Sequence, residues 1–133
     1  MSIYFPYEKK VIDEGHIFDP RINLQVQTKR GFLTIKFLVD SGADVTTLPF
    51  NPYAELFNFK INPNKRVIIG RVEGRRIDGY PFTLKIRIQK FEFKLRSYFL
   101  KSKIDPLLGR LDFWNLFSIN FDNKSLKTIL TKI

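Results

Sequence analysis

Asp40, Ser41 and Gly42 stand together where an apolar run, Phe37-Leu38-Val39, ends, and Ala43 and Asp44 follow them. A strand ending there places a carboxylate at its mouth, a hydroxyl beside it and a glycine that lets another backbone come close. Such a carboxylate can act as a general base or, when protonated, as a general acid. The same three residue types also form ordinary turns, and the alternative reading is that Asp40 starts one. By average composition, an Asp-[Ser/Thr]-Gly triplet arises by chance in about one chain of this length in twenty, so its surroundings decide. Other chemistries are excluded by what the chain lacks. It has no Cys, which removes disulfides, thiol nucleophiles, zinc fingers and iron–sulfur clusters. Its one His, His16, is read as an exposed loop residue and supports neither a His-based metal site nor a catalytic triad. Ser41 is a poor nucleophile for the same reason: nothing in the sequence places that His beside it.

The elements that must position Asp40 are mostly strands. The chain has 133 residues, 44% of them hydrophobic and 14 of them Phe, which suits one domain over residues 1–133 with a sizeable core and argues against disorder. Ile22–Gln27 and Phe32–Val39 predict an antiparallel pair joined by Thr28-Lys29-Arg30-Gly31. A short strand at Val45–Leu48 is closed by Pro49, and Pro52–Phe59 predicts a short helix with Tyr53, Leu56 and Phe57 on one face. Strands at 66–69, 82–88 and 91–95 suggest successive hairpins around a glycine-punctuated segment, Gly70 to Gly79. Leu111–Phe117 predicts a second short helix, with Trp114 packed in the core beside Phe113 and Phe117. Ser118–Phe121 and Leu126–Leu130 flank a terminal turn. Residues 1–20 are read as an N-terminal extension that contributes dimer contacts. The sum is an all-β domain with one or two short helices.

Charge is uneven. Residues 60–103 hold 13 Lys or Arg against 3 Asp or Glu, while the rest of the chain holds 10 of each. Alternation in Phe82-Thr83-Leu84-Lys85-Ile86-Arg87-Ile88 assigns many of these charges to solvated strand faces. They also suit a positive field beside a cleft, with Arg71, Arg75 and Arg76 at its border, which favours acidic peptides. A basic barrel that binds single-stranded nucleic acid is the less favoured reading, because alternation turns Phe82, Phe91 and Phe93 inward. No apolar run approaches the roughly 18 residues of a membrane span, and MSIYFPYEKK lacks the apolar stretch of a secretion signal. The expectation is a soluble, cytoplasmic protein with no membrane partner.

From about Ile22 to Leu130 the sequence resembles the retropepsin-like aspartic proteases. Leu38-Val39-Asp40-Ser41-Gly42-Ala43-Asp44 is similar to the family's active-site segment. Ile69-Gly70-Arg71-Val72-Glu73-Gly74 is similar to the tip of its flap, and Leu107-Leu108-Gly109-Arg110 to its apolar-apolar-Gly-Arg segment. The three occur in the family's order. Three departures stand out: Leu111 replaces a common Asn or Asp, Arg71 and Glu73 replace flap glycines, and about fifteen extra residues precede the first matched strand.

The resemblance implies a closed β-barrel with a flap hairpin and an aspartic endopeptidase activity that uses no cofactor and no metal. Hydrolysis without a covalent intermediate needs an activated water and a protonated carbonyl, which two close carboxylates sharing a proton supply. The chain has one such triplet, so the second carboxylate is Asp40 of another copy in a two-fold homodimer acting on peptide or protein substrates. Activity is expected to favour mildly acidic conditions. By the same resemblance Asp40, Ser41 and Gly42 form the catalytic segment, with Ser41 holding the active-site loops together. Ala43, Asp44, Gly70 and Val72 bind substrate, Val72 from the flap tip, and Asp44 pairs with Arg110 beneath the cleft. The chain ends interleave at the subunit interface, where Leu126–Leu130 would otherwise be an unpaired strand edge. The alternative function is a catalytically weak relative that serves as a peptide-binding or dimerisation module.

Overall fold

The computed structural model describes residues 1–72 and 74–133, the side chains of Arg71 and Val72 excepted. The first twenty residues, expected as an N-terminal extension, form three strands. β1 (Ser2–Pro6) half-buries Ile3 and Phe5 and leaves its alternate residues in solvent. β2 (Glu8–Ile12) and β3 (Gly15–Asp19) pair only with each other, as a two-stranded hairpin. His16 therefore belongs to a strand rather than a loop, and it is exposed.

Alternating burial builds the main sheet. β4 (Arg21–Thr28) buries Ile22, Leu24 and Val26, and β5 (Gly31–Val39) buries Ile35, Phe37 and Val39. The two are antiparallel, in register from Arg21↔Leu38 to Thr28↔Gly31. At their turn the Thr28 hydroxyl accepts from the Arg30 N–H at 3.1 Å and donates to the Gly31 carbonyl at 2.8 Å. β6 (Thr46–Pro49) follows, then α1 (Phe50–Leu56), β7 (Val67–Val72), β8 (Arg75–Ile88), β9 (Phe91–Leu100) and the two-residue β10 (Leu107–Leu108). In space the order is β4-β5-β10-β6-β9-β8-β7, and β4 also pairs with β8, so six strands form a ring of hydrogen-bonded neighbours. Two of its pairings are parallel, β10 with β5 and β6 with β9. The segments expected at 66–69 and 82–88 are parts of β7 and of a 14-residue β8, which pair as one hairpin whose register shifts between Ile68 and Gly70. Among the described residues, no helix is long and apolar enough to cross a membrane.

Inside the ring lie Leu24, Val26, Phe37, Leu48, Leu84, Ile86, Leu95 and Phe99, each 0–1% exposed. α1 carries Tyr53 against this core, and just beyond the helix Phe57 and Phe59 approach Phe82 and Phe99. Phe82 stacks on Phe99 at 3.8 Å and Phe93 is buried, so these aromatics face inward as alternation requires. The polar partners on β8 and β9, among them Thr83, Lys94 and Arg96, are exposed. Much of the positive segment is thus the solvated face of the sheet.

Two expectations fail at the C-terminal end. Leu111–Phe117 is not an α-helix; only a 3-10 turn forms, at Phe113–Asn115, after Asp112 enters the left-handed region with φ +67°. In so tight a turn neighbouring side chains point apart. Phe113 and Phe117 are buried and Trp114 is exposed, which removes Trp114 from the core. The second failure concerns the chain end. β12 (Lys127–Lys132) lies between β11 (Phe117–Asp122) and β1 in a three-stranded antiparallel sheet, so it is no free edge.

Asp112 is fixed from β9. Its carboxylate accepts from the Arg96 backbone N–H at 2.9 Å and from the guanidinium at 2.8 and 3.1 Å. The Arg96 side-chain hydrogen bond is the main cause that holds the Asp112 carboxyl below its usual range, with burial acting the other way. A depressed folded value stabilises the fold above the unfolded value of about 3.9 and is lost as pH falls through the folded one. Asp112→Asn is therefore expected to lower the thermal midpoint at neutral pH, and the gap from the parent should close as pH falls through and below the usual carboxylate range. A gap of constant size over that range would assign the loss to packing.

Candidate active site

Asp40 follows the last residue of β5, where β5 meets β10. Its N–H donates to the Leu108 carbonyl at 3.1 Å, and the preceding Val39 N–H donates to the Pro20 carbonyl at 3.0 Å. The strand end is thus pinned on both sides. The chain then turns: the Gly42 N–H donates to Asp40 Oδ1 at 2.9 Å and the Ala43 N–H to the Asp40 carbonyl at 3.2 Å. That single amide leaves the half-buried carboxylate with lone pairs to spare for water or a second carboxyl.

The segment after β10 braces this turn from the other side. The Arg110 N–H donates to the Ala43 carbonyl at 3.0 Å, and the Leu111 N–H to the Asp44 carbonyl at 2.9 Å. Gly109 donates its N–H to Thr46 Oγ1, a fully buried hydroxyl, at 3.0 Å. Sequence reasoning missed Thr46, because a bond across 63 positions leaves no local signal. The Arg110 guanidinium pairs with the Asp44 carboxylate. The pair is not beneath anything in this chain: Asp44 is 82% and Arg110 45% exposed at the side chain. Arg110 also lies 5.9 Å from the Trp114 ring.

A cleft of 740 Å³ runs between the Gly42–Val45 turn and the β7–β8 hairpin. Ile69, Ile77, Tyr80, Leu100, Ile104 and Leu107 give it apolar walls. Arg76, Asp78 and Lys101 add charge. Arg76 Nε is 2.9 Å from Asp78 Oδ1, whereas Lys101 has no carboxylate partner among the described residues and stands 5.6 Å from the Tyr80 ring. Of the residues expected to meet substrate, Ala43 and Asp44 line this cleft, and of the expected catalytic segment Gly42 does. Gly70 lies in β7, off the lining, and Ser41 faces a separate hollow. The Val72 side chain, expected at the hairpin tip, and Glu73 lie outside the described residues, as does the Arg71 side chain. Arg75 is exposed and does not line the cleft. Lys101 was not foreseen, since its position follows from where β9 ends.

No family model matches the chain, and no curated protein matches it. Solved structures do. A retropepsin-like aspartic protease from Rickettsia conorii is 24% identical, with a TM-score of 0.67, covering 98% of this chain and 89% of its own. EIAV protease, solved with the inhibitor HBY-793, is 21% identical with a TM-score of 0.54, over 69% of this chain and 82% of its own. The retroviral protease-like domain of Ddi1 from Leishmania major is 12% identical with a TM-score of 0.54, over 84% of this chain and 94% of its own. These likenesses show the fold: the chain has a retropepsin-like fold.

Proposed function

We propose that this chain is an aspartic endopeptidase that works as a homodimer with one Asp40 from each copy. The observation that carries the reading is the Asp40 carboxylate, held at a pinned strand end, tied by one amide among the described residues and followed by Gly42, Ala43 and Asp44, which line the cleft. In this reading the ring of strands is a closed barrel and β7–β8 is a flap, with Val72 covering substrate and excluding water. Ser41 braces the two active-site turns against each other. Two carboxylates about 3 Å apart hold one proton between them. The ionised member takes a proton from water as the water attacks the peptide carbonyl, and the protonated member gives its proton to the carbonyl oxygen. The carboxyl now protonated then gives its proton to the amide nitrogen as the C–N bond breaks, and the other carboxylate takes a hydroxyl proton back, restoring the pair. Activity needs that one proton, so it falls when the pair gains a second and when it loses the first. A maximum under mildly acidic conditions follows.

The test is cleavage of a diverse peptide library by purified protein at about pH 4 to 7, read by mass spectrometry. Discrete products support the reading. Peptides bound tightly and left intact would instead make the chain a peptide-binding module.

Lys101 gives this cleft a preference. As an ammonium with no carboxylate partner among the described residues and apolar walls beside it, it should favour peptides with an acidic residue near the scissile bond. KM for such peptides is expected to rise with salt more steeply than for neutral ones, and Lys101→Ala should remove most of that difference while Arg75→Ala leaves it. Equal salt dependence for the two peptide classes would assign these charges to solubility.

A further inference from the structure

The β2–β3 hairpin buries little against its own chain. One face is tethered: Glu8 pairs with Lys36, and Asp19 with Arg21. The strand register puts Lys9, Val11, His16 and Phe18 on the other face. Val11 is 78% exposed and Phe18 39%, with His16 edge-on to Phe18 at 5.6 Å. An apolar pair in solvent on a projecting ribbon is a contact surface without its partner.

Its position says which partner. Phe18 lines a 220 Å³ hollow together with Val39 and Ser41, the two residues that flank Asp40. In the shared-dyad reading, a copy that brings its own Asp40 against this one comes close to that hollow, and so to Phe18. The chain ends do not offer the contact through β12, which is already paired on both sides. Charge agrees. Residues 1–20 carry Glu8, Asp13, Glu14 and Asp19 against Lys9 and Lys10, so they are net acidic in a chain of net charge +10. Two such chains repel, and the exposed Asp13-Glu14 turn is a segment that a second copy attracts. We infer that the β2–β3 hairpin is an arm that each subunit lays on the other, burying Val11 and Phe18 and thereby holding the two Asp40 carboxylates together. By two-fold symmetry both arms make the same contact. The inference rests on the shared-dyad reading above.

The experiment is sedimentation equilibrium of the full chain, with cleavage assayed in parallel. Val11→Asp/Phe18→Asp is expected to raise the dimer Kd about 100-fold or more while circular dichroism stays unchanged, because both side chains are exposed in the single chain. Asp13→Lys/Glu14→Lys lies in a solvent-exposed turn and tests the same arm without touching apolar residues. It should weaken the dimer about tenfold at low salt, and that difference should vanish at high salt. A parent dimer whose Kd is unmoved by both variants would overturn the arm and leave the protease reading standing. A parent chain that stays monomeric at all concentrations would overturn the arm as well. Failure of the catalytic reading is seen elsewhere, in hydrolysis that survives Asp40→Asn, and does not alter the Kd comparison.

Discussion

Asp40→Asn is expected to lower kcat by about 10³-fold or more, with the fold and the dimer intact. Asn is nearly the same shape and can still accept the Gly42 N–H that Asp40 Oδ1 accepts at 2.9 Å, so the turn has no reason to open. What is lost is the proton chemistry, since an amide can neither take a proton from water nor share one with a second carboxylate. The effect should exceed the loss of a single acid or base, because each substituted dimer loses both members of the pair. Mixing separates a shared site from a complete one. With a ninefold excess of the variant and free exchange, about a tenth of parent chains remain paired with each other by mass action. Specific activity per parent chain should fall accordingly, and should also fall when the parent alone is diluted through its dimer Kd. Turnover unchanged in the variant would end the protease reading. Activity that stays proportional to parent chain in the mixture, with exchange demonstrated, would mean that one chain builds the whole site.

The parts of this site that could be read in the sequence are those set by local pattern. Phe32–Val39 alternates clearly enough to end at Asp40, and Leu107-Leu108-Gly109-Arg110 is recognisable as four residues although its strand is only two residues long. What could not be read is pairing over distance. Ser2 to Pro6 alternates like a strand, yet nothing near it shows that its partner is Lys127–Thr131. Because that partner exists, the apolar end of the chain is the middle of a sheet rather than an edge. Trp114 was misplaced for a different reason. Helical spacing groups it with Phe113 and Phe117, but the left-handed Asp112 starts a 3-10 turn that carries it outward. The Asp44–Arg110 pair was legible as a pair and not as a depth, since exposure depends on how distant segments pack and leaves no local signal.

The second large effect is expected at Gly109, where there is no room for a methyl group. A Cβ built there would lie 2.3 Å from both the carbonyl carbon and the carbonyl oxygen of Val45, and 2.8 Å from its nitrogen. These are backbone atoms and no rotamer relieves them, so β10 and the chain entering β6 must move apart. That movement strains several bonds at once: Gly109 N–H to Thr46 Oγ1, Arg110 N–H to the Ala43 carbonyl and Leu111 N–H to the Asp44 carbonyl. Gly109→Ala is therefore expected to cost about 3 kcal/mol or more in urea denaturation, at the upper end of overpacking effects. Cleavage should be lost even in the fraction that remains folded, because the displaced bonds hold the turn after Asp40. Gly31 provides the control. It has φ +92° at the β4–β5 turn with open space around its Cβ position, so Gly31→Ala should cost only about 1–2 kcal/mol of backbone strain and leave cleavage per folded molecule unchanged. If Gly109→Ala proved as mild as Gly31→Ala, the close approach of Gly109 to Val45 would be wrong, and with it the account of how the segment after β10 braces the turn after Asp40.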